Sequence, residues 1–260
     1  MPERKEYTPG TPNWVDLQTT DQNAAKAFYG EIFGWTYNDM PVDEANKVFY
    51  SMATLRGLDV GAIAPMGPDM AGIPPHWNTY ISVSDVDATA ATVPGAGGTV
   101  IAPPFDVMDA GRMAVVADPT GAVFQLWQAK NHIGASLVNE TGAFSWNELL
   151  TPDIPKAAAF YNKVLGWTAN KFEGDMDYTE FKLEGESLAG AMNPPMPGIP
   201  PVWTIYFNVD DTDATVAKAK SLGATVFAEP TDIPPGRFAV LADPQGAMFN
   251  VIKMNPMPPS

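Results

Sequence analysis

Cysteine is absent from the 260 residues, which removes disulfides, thiolate nucleophiles and cysteine-ligated metals in one step. Histidine is almost absent: His76 and His132 are the whole supply. Basic residues are scarce, 15 against 30 acidic, for a net charge of −15. A surface of that sign repels polyanions, so nucleic acid is excluded as a partner, and the acidity reads as a device for solubility. No apolar run approaches the length that crosses a bilayer, so no membrane partner is expected. The first residues, Met1-Pro2-Glu3-Arg4-Lys5-Glu6, are charged with no apolar stretch behind them, and a cytoplasmic location is the expectation. A Ser-His-Asp set, a phosphate-binding glycine loop and a dinucleotide fingerprint are also missing.

What the chain does have, it has twice. Trp14-Val15-Asp16-Leu17, Phe28-Tyr29 and Gly34-Trp35 return as Trp146-Asn147-Glu148-Leu149, Phe160-Tyr161 and Gly166-Trp167, at a constant offset of 132 (146 − 14). Further on, Pro74-Pro75-His76-Trp77 matches Pro200-Pro201-Val202-Trp203, and Asp118-Pro119-Thr120-Gly121 matches Asp243-Pro244-Gln245-Gly246. The offset falls to 126 (203 − 77) and then 125 (243 − 118), as small loop deletions would make it. This is a duplicated domain. The boundaries read as a first domain over 11–130, a linker over 131–141 and a second domain over 142–256. Ile133, Leu137 and Val138 make the linker too apolar for a free tether, so it is expected to dock.

Within each copy the hydrophobic period switches twice. Trp14 to Thr19 alternates as a strand does, then Ala24, Phe28 and Ile32 recur at helical spacing after Asp21, and Gly34 suits a helix C-cap. Strand-like runs follow at 48–55 and 60–64. The order then repeats: a strand over 78–83, a helix from Asp85, and strands over 99–102, 112–117 and 122–128. The last two flank an Asp-Pro-Thr-Gly turn. Copy two has the same pattern, with its second helix over 211–222. The chain therefore reads as four βαβββ modules, two per domain.

Paired βαβββ modules with Phe-Tyr-x4-Gly-Trp after the first strand and Asp-Pro-x-Gly before the last resemble the vicinal oxygen chelate superfamily of glyoxalases, bleomycin-resistance proteins and extradiol dioxygenases. Within it, the chain looks most like two-domain actinobacterial glyoxalase-like proteins labelled hydroxylases. The resemblance covers roughly 11–254. It implies an α+β fold: tandem domains, each a curved mixed sheet forming a cup, with helices on the outer face. In metal-using members the ligands are His or Gln, His, and Glu, on the first, fifth and eighth strands. Those positions fall here on Trp14, Asn78 and Gln125, and on Trp146, Thr204 and Asn250. An indole has no lone pair to offer, and neutral amides bind divalent ions weakly without a charged partner. No metal and no cofactor are expected. Both histidines fall in connecting segments and read as surface or loop residues.

Strand alternation shows what replaces the ligands. If position 14 faces the cup, as the resemblance implies, so do Asp16 and Gln18, while Val15 and Leu17 face the helices. The same parity brings Asn78, Tyr80, Ser82, Gln125 and Trp127 into the first cup. It brings Trp146, Glu148, Leu150, Thr204, Tyr206, Asn208, Asn250 and Ile252 into the second. An aromatic wall with a few polar groups and one carboxylate suits a hydrophobic or aromatic small molecule, and a dry core filled by the same rings is the alternative. The carboxylates read either as acid/base groups or as members of buried salt bridges with Arg112 and Arg237.

Three functions compete at this point. The first is a metal-independent binder of a natural product or metabolite. The second is an enzyme of biosynthesis or detoxification (hydroxylase or oxygenase, isomerase, lyase) using Asp16 or Glu148. A metal-dependent glyoxalase or dioxygenase stands well behind both. Monomer and homodimer remain open, because the tandem copies could supply within one chain the pairing that single-domain members obtain by dimerising.

Overall fold

The computed structural model describes residues 2–43, 45, 48–172 and 177–255. The first copy runs β1 (Pro12–Thr19), α1 (Gln22–Phe33), β2 (Thr36–Asp43), β3 (Val48–Leu55), β4 (Leu58–Pro65), β5 (His76–Ser82), α2 (Val86–Thr92), β6 (Thr99–Val107), β7 (Gly111–Ala117) and β8 (Val123–Ala129). The second runs β9 (Phe144–Leu150), α3 (Ile154–Leu165), β10 (Thr168–Lys171), β11 (Tyr178–Leu183), β12 (Glu186–Met192), β13 (Val202–Asn208), α4 (Thr212–Ser221), β14 (Thr225–Ile233), β15 (Gly236–Ala242) and β16 (Met248–Met254). Each copy is one eight-stranded mixed sheet, ordered β2-β3-β4-β1-β5-β8-β7-β6 and β10-β11-β12-β9-β13-β16-β15-β14. The two modules of a copy meet where β1 pairs antiparallel with β5, and β9 with β13.

Local chemistry fixes the helix ends. Asp21, Asp85, Asp153 and Asp211 each precede a helix and accept the amide three residues on, from Ala24, Ala88, Lys156 and Ala214. Gly34 and Gly166 close α1 and α3 in the left-handed conformation, at φ 73° and 76°. Two edge strands extend beyond the sequence reading. β2 follows the Gly-Trp pair at once, but its Thr-Tyr-Asn-Asp-Met-Pro-Val-Asp run is largely exposed and carries no alternation. β6 continues through Pro103-Pro104, which an edge position tolerates because no neighbour needs those amides.

The helix-bearing face of each sheet is where the two copies meet. Val15 and Leu17 are wholly buried there. One apolar cluster joins the first module of copy one (Phe28, Tyr29, Phe33, Trp35) to the second module of copy two (Phe207, Val216, Phe249). The other joins Phe124 and Leu126 to Phe160, Tyr161, Trp167 and Trp203. Polar clasps follow the same pseudo-twofold. The Tyr29 hydroxyl donates to Asp243 Oδ2 at 3.1 Å and Tyr161 donates to Asp118 Oδ2 at 3.0 Å. Trp77 and Trp203 donate to those two hydroxyls. Trp35 and Trp167 donate to the carbonyls of Gly142 and Gly10. The Oδ1 of Asp118 and of Asp243 holds its own turn by accepting backbone amides, so each aspartate closes a hairpin and binds the other copy. The repeated motifs of the sequence are thus mainly interface residues, repeated because an isologous contact uses one patch twice.

Between the copies, Ala135 N–H donates to Asn13 O and Ser136 N–H to Asp59 O, both at 2.8 Å, while Leu137 and Val138 are buried. Among the described residues no helix is long and apolar enough to cross a membrane.

Candidate functional site

The opposite face of each sheet carries the carboxylates. In the first cup, the β1–β5 register sets Asp16 against Asn78, Trp14 against Tyr80 and Gln18 against His76, and the parallel β5–β8 pairing sets Tyr80 beside Gln125. The Asp16 Oδ1 accepts from Asn78 Nδ2 at 2.8 Å, and Oδ2 accepts from the Tyr80 and Tyr50 hydroxyls at 2.8 and 2.9 Å. Around this centre, Trp14 Nε1 donates to the Tyr50 oxygen and Gln125 Nε2 to Asn78 Oδ1, each at 2.9 Å. Tyr50 arrives from β3, two strands away, over the intervening β4, on which Ala62 is the cross-strand neighbour of Asp16. Burial raises the Asp16 pKa, and the three donors oppose that shift.

The second cup repeats the plan with longer and shorter parts. Glu148 Oε1 accepts from the Tyr206 hydroxyl at 3.0 Å, and Tyr178 is its other hydrogen-bonding partner. Trp146 Nε1 donates to the Tyr178 oxygen at 2.9 Å. Thr204 stands opposite Glu148 where Asn78 stands opposite Asp16, but its hydroxyl reaches only the Glu148 carbonyl at 3.4 Å and accepts from Asn250 Nδ2 at 3.2 Å. Gly190 replaces Ala62, and the Tyr178 hydroxyl fills the space a Cβ would need. Burial pushes Glu148 up to about 7, against the lowering effect of its two tyrosines. The neighbouring tyrosines are themselves held protonated, by burial and then by the adjacent carboxylate, so they remain donors.

Among the described residues neither carboxylate is in a salt bridge. Arg112 pairs instead with Asp87 at 2.7 Å and Asp106 at 3.6 Å, and Arg237 with Asp213 at 2.6 Å and Asp232 at 3.1 Å. Register explains the choice, since Asp106 and Asp232 are the cross-strand neighbours of the two arginines. His132 lies in the linker and is part-exposed, as the loop reading expects, but its ring packs in a T-shaped contact with Trp14, ring centroids 4.5 Å apart, and lies 5.9 Å from the ring of Trp127. Burial lowers its pKa to about 4, so it is neutral, and its Nε2 is buried without a partner. Trp127 Nε1 donates to the His132 carbonyl at 2.9 Å. His76 stands at the rim, part-exposed, with Nδ1 2.8 Å from the Pro74 carbonyl.

The donor set does not fit a divalent metal. Asn78 has committed both amide atoms and Trp14 is a donor only. Thr204 and Asn250 hydrogen-bond each other. Among the described residues no group of three or more His, Cys, Asp or Glu could hold an ion. Outside the cups, a groove of about 510 Å³ lies at the domain junction between Arg56, Glu140, Asn208 and Lys253.

Comparison with known proteins fits this geometry. The family model of the Glyoxalase/Bleomycin resistance protein/Dioxygenase superfamily matches residues 11–126 and 140–251. The chain belongs to that superfamily. It is 57% identical over 260 residues to "Putative glyoxylase CFP32" of Mycobacterium tuberculosis, covering 98% of this chain and 99% of that one. It is 38% identical to the anthracycline biosynthesis protein DauV of Streptomyces sp., over 95% of this chain and 94% of that one. Among solved structures, the Mn(II)-bound glyoxalase of Novosphingobium aromaticivorans superposes with a TM-score of 0.66 at 17% identity, covering 94% and 82% of the two chains. The 2,3-dioxygenase LapB of Pseudomonas sp. KL28 gives 0.63 at 15% identity, over 97% and 96%. At such identities the likeness is one of fold.

Tyr50 and Tyr178 escaped the sequence reading of the site. The repeat contained the signal: both are tyrosines at an offset of 128 (178 − 50), on matching strands, with the side-chain parity of the cup.

Proposed function

We propose that this protein binds a largely apolar, aromatic small molecule, a natural product or metabolite, against a cup floor that works without a metal. The observation that carries the reading is a buried carboxylate in each cup held by tyrosine hydroxyls, with indole rings beside it and, among the described residues, no salt-bridge partner and no metal-binding donor set. Rings supply stacking area at small entropic cost, and the acid and hydroxyls fix orientation. The kinship with a protein named for anthracycline biosynthesis supports the same ligand class, because anthracyclines are fused-ring aromatics. The contact between the two copies is made within one chain, which supports a monomer. The test is calorimetry of the full chain with quinizarin, a dihydroxyanthraquinone, before and after dialysis against a chelator. Micromolar binding unchanged by the chelator supports the reading; binding that disappears with the metal overturns it.

A second reading has its own support. A carboxyl with a pKa near 7 in an apolar surround is matched to proton transfer at neutral pH, which favours an isomerase or lyase acting through Glu148, with Asp16 as the alternative group. Turnover that survives Glu148→Gln and Asp16→Asn together would remove it.

A further inference from the structure

We infer that the two cups have separate tasks: the second receives the small molecule, while the first is stoppered by the chain's own linker, with the His132 ring seated where a ligand ring would lie. This rests on the small-molecule reading and extends it by assigning the working cup and the shape of its ligand.

The stopper is held from several sides. The imidazole and the Trp14 ring make a T-shaped contact, centroids 4.5 Å apart and planes at 85°. Its carbonyl accepts from Trp127 Nε1, and the next carbonyl, of Ile133, accepts from Asn13 Nδ2 at 2.9 Å. Two residues on, the Ala135 amide donates to the Asn13 carbonyl. Trp14 is 3% exposed and Asp16 1%, the carboxylate accepts from three protein donors, and in the same floor Gln125 Oε1 is buried without a partner. A ligand entering this cup would have to displace the imidazole.

The second cup has the same frame, and among the described residues no ring packs on Trp146 as His132 packs on Trp14. Trp146, Leu150, Tyr178, Met192, Phe238 and Val240 are each part-exposed; in the first cup Gln18, Tyr50, Met113 and Val115 are part-exposed too, but Trp14 and Ala64, which match Trp146 and Met192, are buried. Glu148 accepts hydroxyls where Asp16 also accepts an amide, because threonine stands at 204. A floor carboxyl with no cation beside it disfavours an anionic ligand, and as the neutral acid it can donate to a carbonyl. The ligand class is therefore an uncharged fused-ring phenol or quinone, flat enough to lie along Trp146 and Phe238.

The test uses the full chain labelled with fluorotryptophan, titrated with quinizarin and followed by fluorine NMR and by binding stoichiometry. The proposal expects one equivalent bound, the Trp146 resonance shifted and the Trp14 resonance unmoved. Trp146→Leu should weaken binding roughly tenfold or more. His132→Ala should open the first cup and raise the stoichiometry to two. A shifted Trp14 resonance in the wild type, two equivalents in the wild type, or a stoichiometry unchanged by His132→Ala would each overturn the division while leaving the small-molecule reading intact. Absence of binding by both wild type and His132→Ala would instead overturn the reading beneath it. Should His132→Ala melt early, His132→Gln and the wild-type resonances decide the matter.

Discussion

Asp16 and Glu148 stand at matching points of a duplicated frame, yet they live in different electrostatic settings. Asp16 accepts three donors and is 1% exposed; Glu148 is one methylene longer, is 6% exposed, and has hydroxyls alone for partners. The contrast teaches that a fold can keep a carboxylate for two reasons. In one cup it is the hub that organises three buried donors, and in the other it holds tyrosine hydroxyls alone, at a pKa that burial has raised.

The largest expected effect comes from deleting the hub. Asp16→Ala orphans Tyr50, Tyr80 and Asn78 together and should cost about 3–5 kcal/mol in urea denaturation. Glu148→Ala, whose donors can turn to water in the more open cup, should cost about 1–2 kcal/mol. Equal losses would break the comparison.

Next is a pH effect confined to the second cup. Glu148 moves from an ordinary 4.5 when unfolded to about 7 when folded. Between those values the folded chain keeps a proton that the unfolded chain has released, so stability contributed at low pH is lost as pH rises through this window. The loss amounts to about 3 kcal/mol. Glu148→Gln should therefore raise the melting temperature relative to wild type at pH 8 and much less at pH 5. A constant difference across that range would count against the raised pKa.

A smaller effect sharpens the role of the bridging tyrosines. Tyr50→Phe breaks the Trp14-to-Asp16 bridge in a closed site and should cost about 1–2 kcal/mol. Tyr178→Phe should cost less and should move Glu148 further above its present pKa, since that hydroxyl now lowers it. The carboxyl carbon shift of Glu148 followed through a pH titration reads this directly. Smallest of all, Arg112→Ala and Arg237→Ala should shift the melting midpoint little, and alike in both copies, because each removes a solvent-facing pair. A collapse in either copy would mean that the arginine supports its cup after all.

Much of this was legible in the chain. The resemblance placed position 14 in the cup, and the two-residue period of a strand then put Asp16 beside it and Val15 and Leu17 on the helix side. The Phe-Tyr, Gly-Trp and Asp-Pro-x-Gly repeats announced the duplication, although their physical task, contact between the copies, emerges only when Tyr29 meets Asp243 across 214 residues. The partners of the carboxylates were harder. Tyr50 reaches Asp16 over an intervening strand, a distance no local pattern encodes. Arginines that follow Gly111 and Gly236 suggested ion pairs with the cup carboxylates, but register gave them nearer aspartates. The least visible element was His132, because a linker that occurs once has no counterpart to compare it with.

That single occurrence has a consequence. Two identical subunits related by a true twofold must treat both of their cavities alike, so any plug that improves one would silence the pair. Joining the subunits head to tail creates a covalent segment that only one of them can touch, and from then on the halves are free to drift, one towards rigidity and the other towards chemistry.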